Sequence, residues 1–389
     1  MLDFIYNTPT TVYFGKQKHK LVGEIIKNLG YKKIMMQYGK SSIKKSGLYN
    51  EVISSLKNAD IEVVELGGVE PNPKVEFVRK AVEIAKKEKV EFVLAVGGGS
   101  VIDSSKCTAL GAKAECDVWD FNLGKQTPND ALPVGCILTI SAAGSEMSNS
   151  AVLTSSEENR KKGCSTEFNR CKFAILNPEL TYTVSAYQTA CGIVDMMTHT
   201  MERYFTPVEP TYLTDRLAES LLKSIVYAGV KAVESPNDYE ARATLMWASS
   251  LAHNGLTGCG RQNYLAVHQL EHAVSGIFDE VAHGAGLAVL YPAWAKYIYK
   301  YNVKRFAEFA RNVFDVKEED DEKASLQGIE KLQEFFIKIK MPTSLSDFNI
   351  DKSKIDDLAN KCTQNGATTV KSYIELGYSE VKEIFELAF

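Results

Sequence analysis

An aspartate and a histidine stand four residues apart in the stretch CGIVDMMTHTMERYF, which runs from Cys191 to Phe205. The stretch lacks proline and is rich in apolar residues, a composition typical of a buried helix. On such a helix Asp195 and His199 share one face, because residues four apart are neighbours on the helix surface. Carboxylates and imidazoles are ligands of divalent metals, so this face is a candidate metal site.

Further histidines follow in the segment NYLAVHQLEHAVSGIFDEVAHGAG, with His268 and His272 four apart and His283 directly before Gly284. Imidazoles from this region would complete a site begun by Asp195 and His199. One aspartate and three neutral histidines suit Fe²⁺ or Zn²⁺ and leave a position for an alcohol oxygen. The alternative is that these histidines are buried core residues held by hydrogen bonds.

Three glycines, Gly97 to Gly99, follow an apolar run and precede Ser100, a candidate helix N-cap. Glycine lets the backbone approach a phosphate closely, and a helix N-terminus presents unpaired N–H groups. We therefore expect a nucleotide pyrophosphate at this turn, although glycines also serve simple turns. A second cluster of small and hydroxyl residues, TISAAGSEMSNSAV, follows the apolar run LPVGCIL and is either another nucleotide contact or a surface loop.

The elements that carry these residues change character along the chain. Up to about residue 185, short β-rich runs such as KKIMMQYG alternate with amphipathic patterns such as KVEFVRKAVEIAKKEK, which is typical of a mostly parallel sheet flanked by helices. Beyond it, long helical patterns such as YLTDRLAESLLKSIVYAGVKAVE dominate. The sequence therefore predicts an α/β domain over residues 1–185 and an α-helical domain over residues 186–389.

Composition narrows the classes of partner. The 389 residues carry 45 basic and 49 acidic side chains without a long basic run, which argues against nucleic acid as a partner. No segment has the apolar length of a membrane span, and the N-terminus lacks the pattern of a signal peptide. Eight cysteines are scattered without CxxC pairs. We expect free thiols, a cytoplasmic location and small-molecule partners.

Five motifs together resemble those of the iron-containing (group III) alcohol dehydrogenases, most closely the NADP(H)-dependent butanol dehydrogenase-like branch: EPNPKVE, AVGGGSVIDSSK, GSEMS, GIVDMMTHTMERYF and HQLEHAVSG with AHGAGLAVLYPAW. The resemblance implies a Rossmann-like α/β domain followed by an all-α domain, as in dehydroquinate synthase, and suggests a homodimer. It implies that the metal ligands are Asp195, His199, His268 and His283, with His272 as a candidate proton relay. It implies dinucleotide contacts from Asn72, Gly97, Gly98, Gly99, Ser100, Asp103, Thr139, Ser148, Val152 and Lys161.

The choice between NAD(H) and NADP(H) depends on the segment QYGKSSIKKSG, which contains no acid. Relatives that use NAD tend to carry an aspartate there, which accepts from the ribose 2′-hydroxyl and repels a 2′-phosphate. In the register of the resemblance Lys40 takes that position, beside Gly39, Ser41 and Ser42. A cation with two hydroxyls favours a phosphate, so we predict NADP(H) over NAD(H). The alternative is that Lys40 is a solvated turn residue.

The predicted reaction is reversible hydride transfer between NADP(H) and a primary alcohol or aldehyde such as butanol or butanal. Fe²⁺, or Zn²⁺ or another divalent metal, would act as Lewis acid. One alternative is a dehydroquinate synthase-like lyase or cyclase, which needs a basic pocket for a phosphorylated sugar-type substrate; near the metal candidates the sequence offers Arg261 for it. The other is a non-catalytic metal- or nucleotide-binding protein.

Overall fold

In a computed structural model, which describes residues 1–158 and 160–389, the chain divides into two units. One unit is Asn7–Val184, and the other combines Met1–Tyr6 with Ser185–Phe389. The predicted domains, residues 1–185 and 186–389, stay a prediction, and this division differs from them in the six N-terminal residues. They group with the helical unit, where the N–H of Leu2 donates to the carbonyl of Gly260 at 2.8 Å.

The Asn7–Val184 unit contains a parallel sheet in the order β1-β8-β5-β4-β2-β3 and a separate antiparallel hairpin, β6–β7. The strands are β1 (Thr11–Phe14), β2 (Lys33–Tyr38), β3 (Glu62–Gly67), β4 (Phe92–Gly97), β5 (Val134–Leu138), β6 (Ser150–Ser155), β7 (Arg160–Ser165) and β8 (Phe173–Leu176). Strands β4 and β5 are buried along their whole length, as expected for parallel strands covered on both faces.

Helices follow the strands of this sheet as the sequence pattern predicts, which confirms the α/β fold class. They are α1 (Val22–Asn28), α2 (Ser42–Lys45), α3 (Leu48–Asn58), α4 (Val75–Glu88), α5 (Gly99–Lys113) and α6 (Trp119–Asn122). Helix α4 shows the reason: it buries Val75, Val78, Ala81 and Ala85, whose spacing of three or four forms one apolar stripe.

The β6–β7 hairpin is not predicted by this alternation. Its strands, SAVLTS and RKKGCS, mix serine, lysine and glycine with few β-branched residues, so their strand propensity is weak. Along β6 buried residues alternate with partly exposed ones, and Ala151 and Leu153 point inward. The cluster of small and hydroxyl residues is therefore part strand and part loop.

The second unit is helical, as predicted, with one two-residue hairpin formed by β9 (Val370–Lys371) and β10 (Glu375–Leu376). The helices are α7 (Ala186–Tyr204), α8 (Tyr212–Glu234), α9 (Tyr239–His253), α10 (Ala266–Ser275), α11 (His283–Ile298), α12 (Val303–Phe314), α13 (Asp321–Lys338), α14 (Ile355–Thr363) and α15 (Tyr378–Leu387). Over the described residues, none of these helices is both long and apolar enough to cross a membrane.

Helix α7 is the central element of the helical unit. The Ser185 hydroxyl caps its N-terminus by accepting from the N–H of Gln188 at 3.2 Å. From Thr189 to Tyr204 every residue is buried, because α8, α9, α10 and α11 all pack against this helix. Its polar side chains must therefore find partners inside the protein.

Candidate metal and dinucleotide sites

Four predicted metal ligands converge inside the helical unit. Asp195 and His199 project from adjacent turns of α7, His268 comes from α10, and His283 is the first residue of α11. The Nε2 atoms of His199, His268 and His283 lie 3.4, 3.5 and 3.8 Å from Oδ1 of Asp195. Asp195, His199 and His268 are each only 5% exposed.

The chemistry of this cluster fits a divalent metal. Oδ1 of Asp195 and Nε2 of His268 are buried and make no hydrogen bond within the described chain. Leaving such atoms without partners costs about 1–3 kcal/mol each, or more where the group is charged. Ligand atoms at 2.0–2.1 Å from a tetrahedral metal stand roughly 3.4 Å from one another, close to the separations seen here. Asp195, His199 and His268 thus form a group that could hold a metal ion, with His283 at its edge, and a bound ion would satisfy the unpaired atoms.

Two glutamates orient the imidazoles from behind. The Nδ1 atom of His268 is hydrogen-bonded to Glu202, and the Nδ1 atom of His283 to Glu271. Glu202 also accepts the N–H of Val267 at 2.6 Å, at the start of α10. Carboxylates in this position fix the tautomer and direct Nε2 toward the metal.

Neither glutamate was predicted from the sequence, although Glu202 has a recognisable spacing. Glu202 follows Asp195 and His199 at spacings of seven and three, so all three share one face of α7. Glu271 lies between His268 and His272 in HQLEH, and no spacing rule separates it from a surface acid. Its burial, at 0% exposure, is the distinguishing feature.

The charges of the cluster follow from burial and mutual contact. Burial opposes the charge of Asp195, but the neighbouring His268 and His283 outweigh it and hold the pKa of Asp195 below its ordinary value. Burial also opposes charge on His268, yet Glu202 and Asp195 raise the pKa of His268 to about 9. Burial and the nearby His253 hold the pKa of His199 well below its ordinary value.

Two more histidines border the cluster. His272, the predicted proton relay, has its ring centroid 5.7 Å from that of His283 and 6.5 Å from that of His268. It is half-buried, unlike His268. His253, at the end of α9, stacks on His199 with centroids 4.0 Å apart. The sequence pattern gives no reason to place His253 here, because it lies outside both histidine-bearing motifs.

The predicted pyrophosphate turn joins β4 to α5. A Cβ atom on Gly97 would lie 2.5 Å from Cγ2 of Val101, and one on Gly98 would lie 2.4 Å from Cγ2 of Ile140. Packing alone therefore requires glycine at both positions. The prediction that Ser100 is the N-cap is wrong: Gly98 is the N-cap, and its carbonyl accepts from Val101 at 3.0 Å, one turn into the helix. The first N–H groups of α5 lack intrahelical partners, as at any helix start.

The end of β5 lies beside this turn, where the N–H of Thr139 donates to the carbonyl of Gly97 at 3.1 Å. Asp103, on α5, accepts from the Ser145 hydroxyl at 2.6 Å and from the N–H of Val152 at 3.0 Å. Both carboxylate oxygens thus bind groups of the chain itself. Asp103 and Val152 connect α5 to the GSEMS loop and to β6.

Lys106 strengthens the same connection and was not predicted. Its side chain is buried, and its ammonium donates to the carbonyls of Ser145, Ser148 and Ser150 at 2.6, 3.0 and 2.9 Å. The hydroxyl of Ser148 accepts from the N–H of Ser150 at 2.9 Å. Lysine is rarely buried in proteins, so the burial of Lys106 could not be predicted from its residue type.

Asn72 and Lys161 are brought together from distant positions, with the Lys161 ammonium donating to Oδ1 of Asn72 at 3.1 Å. Gly39, Lys40 and Ser41 lie between β2 and α2, and Ser42 is the first residue of α2; Lys40, Ser41 and Ser42 are exposed. This segment contains no acid, but the fold supplies one: Nζ of Lys40 lies 2.7 Å from Oε1 of Glu70.

Arg261 does not form a phosphate pocket. It is hydrogen-bonded to Asp215 and donates to the carbonyl of Arg203 at 2.8 Å, and Arg305 donates to the same aspartate at 2.7 Å. Both arginines thus bind chain groups near the C-terminus of α7. This arrangement removes the residue on which the lyase or cyclase alternative depends.

Comparison with known proteins gives matches to both units. The family model described as iron-containing alcohol dehydrogenase matches residues 9–178, and the model described as the C-terminal part of the Fe-containing alcohol dehydrogenase family matches residues 189–389. NADH-dependent butanol dehydrogenase A of Clostridium acetobutylicum is 40% identical, and NADPH-dependent aldehyde reductase YqhD of Escherichia coli is 34% identical; each alignment covers 100% of both chains. The crystal structure of NADH-dependent butanol dehydrogenase A from Thermotoga maritima matches with a TM-score of 0.96 and 40% identity, covering 100% of this chain and 99% of that one.

Proposed function

This chain belongs to the iron-containing alcohol dehydrogenase family, and we propose that it transfers a hydride between NADP(H) and a primary alcohol or aldehyde such as butanol or butanal. The observation that carries the proposal is the convergence of three imidazole Nε2 atoms on the Asp195 carboxylate at 3.4–3.8 Å. In the reducing direction, hydride passes from C4 of the reduced nicotinamide to the carbonyl carbon, and a proton goes to the oxygen.

Asp195, His199, His268 and His283 are the proposed ligands of Fe²⁺, with Zn²⁺ or another divalent ion as substitute. When bound, the ion supplies Lewis acidity toward the alcohol or aldehyde oxygen. Glu202 and Glu271 hold the rings of His268 and His283 so that their Nε2 atoms point to the centre. The three helices that carry the proposed ligands, α7, α10 and α11, belong to one helical unit and pack against one another.

His272 is the proposed proton carrier. It lies one turn after His268 on α10, with its ring 5.7 Å from that of His283. Its partial exposure suits a group that exchanges protons with solvent, whereas the ligand His268 is buried. An imidazole is the side chain best suited to this role near neutral pH.

The proposed dinucleotide site lies at the carboxyl ends of the parallel strands, where such sheets bind nucleotides. The glycine turn and the N-terminus of α5 would hold the pyrophosphate, with Asn72, Thr139 and Lys161 beside it. Asp103, Ser148 and Val152 contribute by fixing the loop next to α5. Similar proteins include one named for NADH and one named for NADPH, so the preference for NADP(H) rests on Lys40 and its two neighbouring hydroxyls.

We also propose a cytoplasmic homodimer. The cytoplasmic location is supported by the eight cysteines, which are all free thiols. The dimer is supported by the family resemblance and is tested by light scattering on the purified chain, where a monomer mass at micromolar concentration would contradict it.

The test of the function uses the full chain supplied with Fe²⁺ or Zn²⁺, butanal and NADPH. We expect the absorbance of the reduced nicotinamide to fall, and Lys40→Asp to shift the preference toward NADH. No fall over a panel of short aldehydes, with either nicotinamide, would contradict the proposed reaction. An unchanged preference in Lys40→Asp would contradict the proposed role of Lys40 alone.

A further inference from the structure

The exposed ammonium of Lys40 is paired with a carboxylate from another strand. Strands β2 and β3 are paired in parallel from Lys33 opposite Glu62 to Tyr38 opposite Gly67. Beyond the paired residues, the N–H of Gly68 donates to the carbonyl of Tyr38 at 3.0 Å, so the segments that follow the two strands stay side by side. Lys40 lies on the segment after β2 and Glu70 on the segment after β3, and Nζ of Lys40 is 2.7 Å from Oε1 of Glu70.

This pair lies at the part of the sheet that distinguishes the two nicotinamide cofactors. Strand β2 is the direct neighbour of β4, which carries the glycine turn, and Tyr38 pairs with Val96. In dinucleotide-binding sheets, the strand next to the glycine turn carries at its carboxyl end the residue that contacts the ribose 2′ position. In NAD enzymes that residue is an acid, which binds the 2′-hydroxyl and repels a phosphate.

We propose that Glu70 is a specificity-determining residue that opposes the 2′-phosphate of NADP(H) at Lys40 and accepts a hydrogen bond from the 2′-hydroxyl of NAD(H). This inference rests on the proposed dinucleotide site. It assigns to β3 the acid that the segment QYGKSSIKKSG lacks. Lys40 and Glu70 act in opposite directions on the phosphate, so the chain accepts both cofactors and Glu70 lowers its preference for NADP(H).

The pair can open when a cofactor binds. The side chains of Lys40 and Glu70 are 69% and 47% exposed, and exposed ion pairs are weak. A phosphate dianion competes well with a single carboxylate for the ammonium, because it carries more charge and three acceptor oxygens. The carboxylate then remains close to the phosphate, and this repulsion is the effect that the experiment measures.

The test is Glu70→Gln, which removes the charge and keeps the shape. Glu62→Gln is the control, because Glu62 is an exposed acid paired with a lysine, 2.8 Å from the partly exposed Lys33, at the opposite end of the same two strands. We expect Glu70→Gln to raise the ratio of NADPH to NADH affinity roughly 5- to 20-fold, from the interaction of one charge with a dianion across a few ångströms of screened water. Glu62→Gln should leave the ratio within twofold.

The readout is the dissociation constant of each reduced cofactor, measured by nicotinamide fluorescence, together with kcat/KM for butanal reduction. An unchanged affinity ratio in Glu70→Gln overturns the inference. A higher ratio of NADPH to NADH affinity in Glu70→Gln supports the inference. If Lys40→Gln leaves this ratio unchanged, the role proposed for Lys40 is wrong, but the role of Glu70 is still supported. Cofactor binding is measured without turnover, so the two proposals are tested separately. Absence of butanal reduction would refute the proposed reaction, whereas the role of Glu70 would still be tested by the ratio of the two dissociation constants.

Discussion

At the scale of single residues, the candidate metal site contains two kinds of side chain: proposed ligands that point to its centre, and glutamates that orient the ligand imidazoles. Asp195 and His268 present buried atoms that no group of the described chain satisfies, whereas Glu202 and Glu271 contact His268 and His283 at Nδ1, the ring nitrogen that faces away from Asp195. The ligand types were predictable from spacing, since Asp195 and His199 share a helical face. Glu202 and Glu271 were not predictable, because a sequence does not distinguish a buried glutamate from a glutamate at the surface.

Replacement of Glu202 by glutamine tests whether this carboxylate orients the imidazole of His268. The amide keeps the size of the side chain but removes the charge that holds the Nδ1 proton of His268, so we expect metal affinity to fall about 10- to 100-fold. The measurement is a competition titration with a chelator of known affinity.

Glu219→Gln is the control for that variant. Glu219 is also buried in the helical unit, but it accepts from the Tyr204 hydroxyl and Arg216, both at 2.7 Å, and from Asn312 at 3.1 Å, and not from a histidine. Equal metal affinities in the two variants would mean that Glu202 stabilises the fold without orienting His268.

At the scale of elements, local patterns were predictable and non-local contacts were not. The strand–glycine–helix order of β4 and α5 is written in consecutive residues, and so is the apolar stripe of α4. The N-cap of α5 was predicted incorrectly: it is Gly98, two residues before Ser100, and glycine has no side chain that could mark it as a cap. The β6–β7 hairpin and the Lys40–Glu70 pair depend on partners distant in sequence, which composition does not reveal.

The glycine turn can be dissected with two alanine variants. In Gly98→Ala the new Cβ would lie 2.4 Å from Cγ2 of Ile140, so we expect the free energy of unfolding to fall by about 1–3 kcal/mol through overpacking. In Gly99→Ala the new Cβ would lie 3.7 Å from Cβ of Ala143, an ordinary contact, and alanine favours the helix by up to about 1 kcal/mol.

The second variant should nevertheless bind NADPH less tightly, because its Cβ occupies the surface that a phosphate approaches. Urea unfolding and cofactor titration on both proteins separate the two effects. If Gly99→Ala binds NADPH as the parent does, the pyrophosphate does not contact the first turn of α5.

At the scale of the whole molecule, the candidate residues are divided between the two units. Those for the dinucleotide all lie within Asn7–Val184, and those for the metal all lie in the unit that contains Ser185–Phe389. This division could be predicted, because the sequence pattern changes from alternating strands and helices to helices alone. The grouping of residues 1–6 with the helical unit could not be predicted, because the hydrogen bond between Leu2 and Gly260 joins residues far apart in the sequence.

Removal of the metal should destabilise the protein. An ion that binds the folded chain and not the unfolded one adds stability by mass action, about 2.7 kcal/mol at a hundredfold excess over its dissociation constant. We expect chelator treatment to lower the melting temperature by several degrees and Fe²⁺ or Zn²⁺ to restore it, as followed by calorimetry. A melting temperature insensitive to both treatments would contradict a metal site built from α7, α10 and α11.

The most direct test of the account is the metal content of His199→Ala, measured by elemental analysis after reconstitution with Fe²⁺, together with NADPH binding. His19→Asn is the control, because His19 is also buried but lies in the other unit, 2.6 Å from Glu51. We predict that His199→Ala loses most of its metal and its butanal reduction while NADPH binding stays within about twofold, and that His19→Asn keeps its metal. A His199→Ala protein that retains the parent's metal content would contradict it.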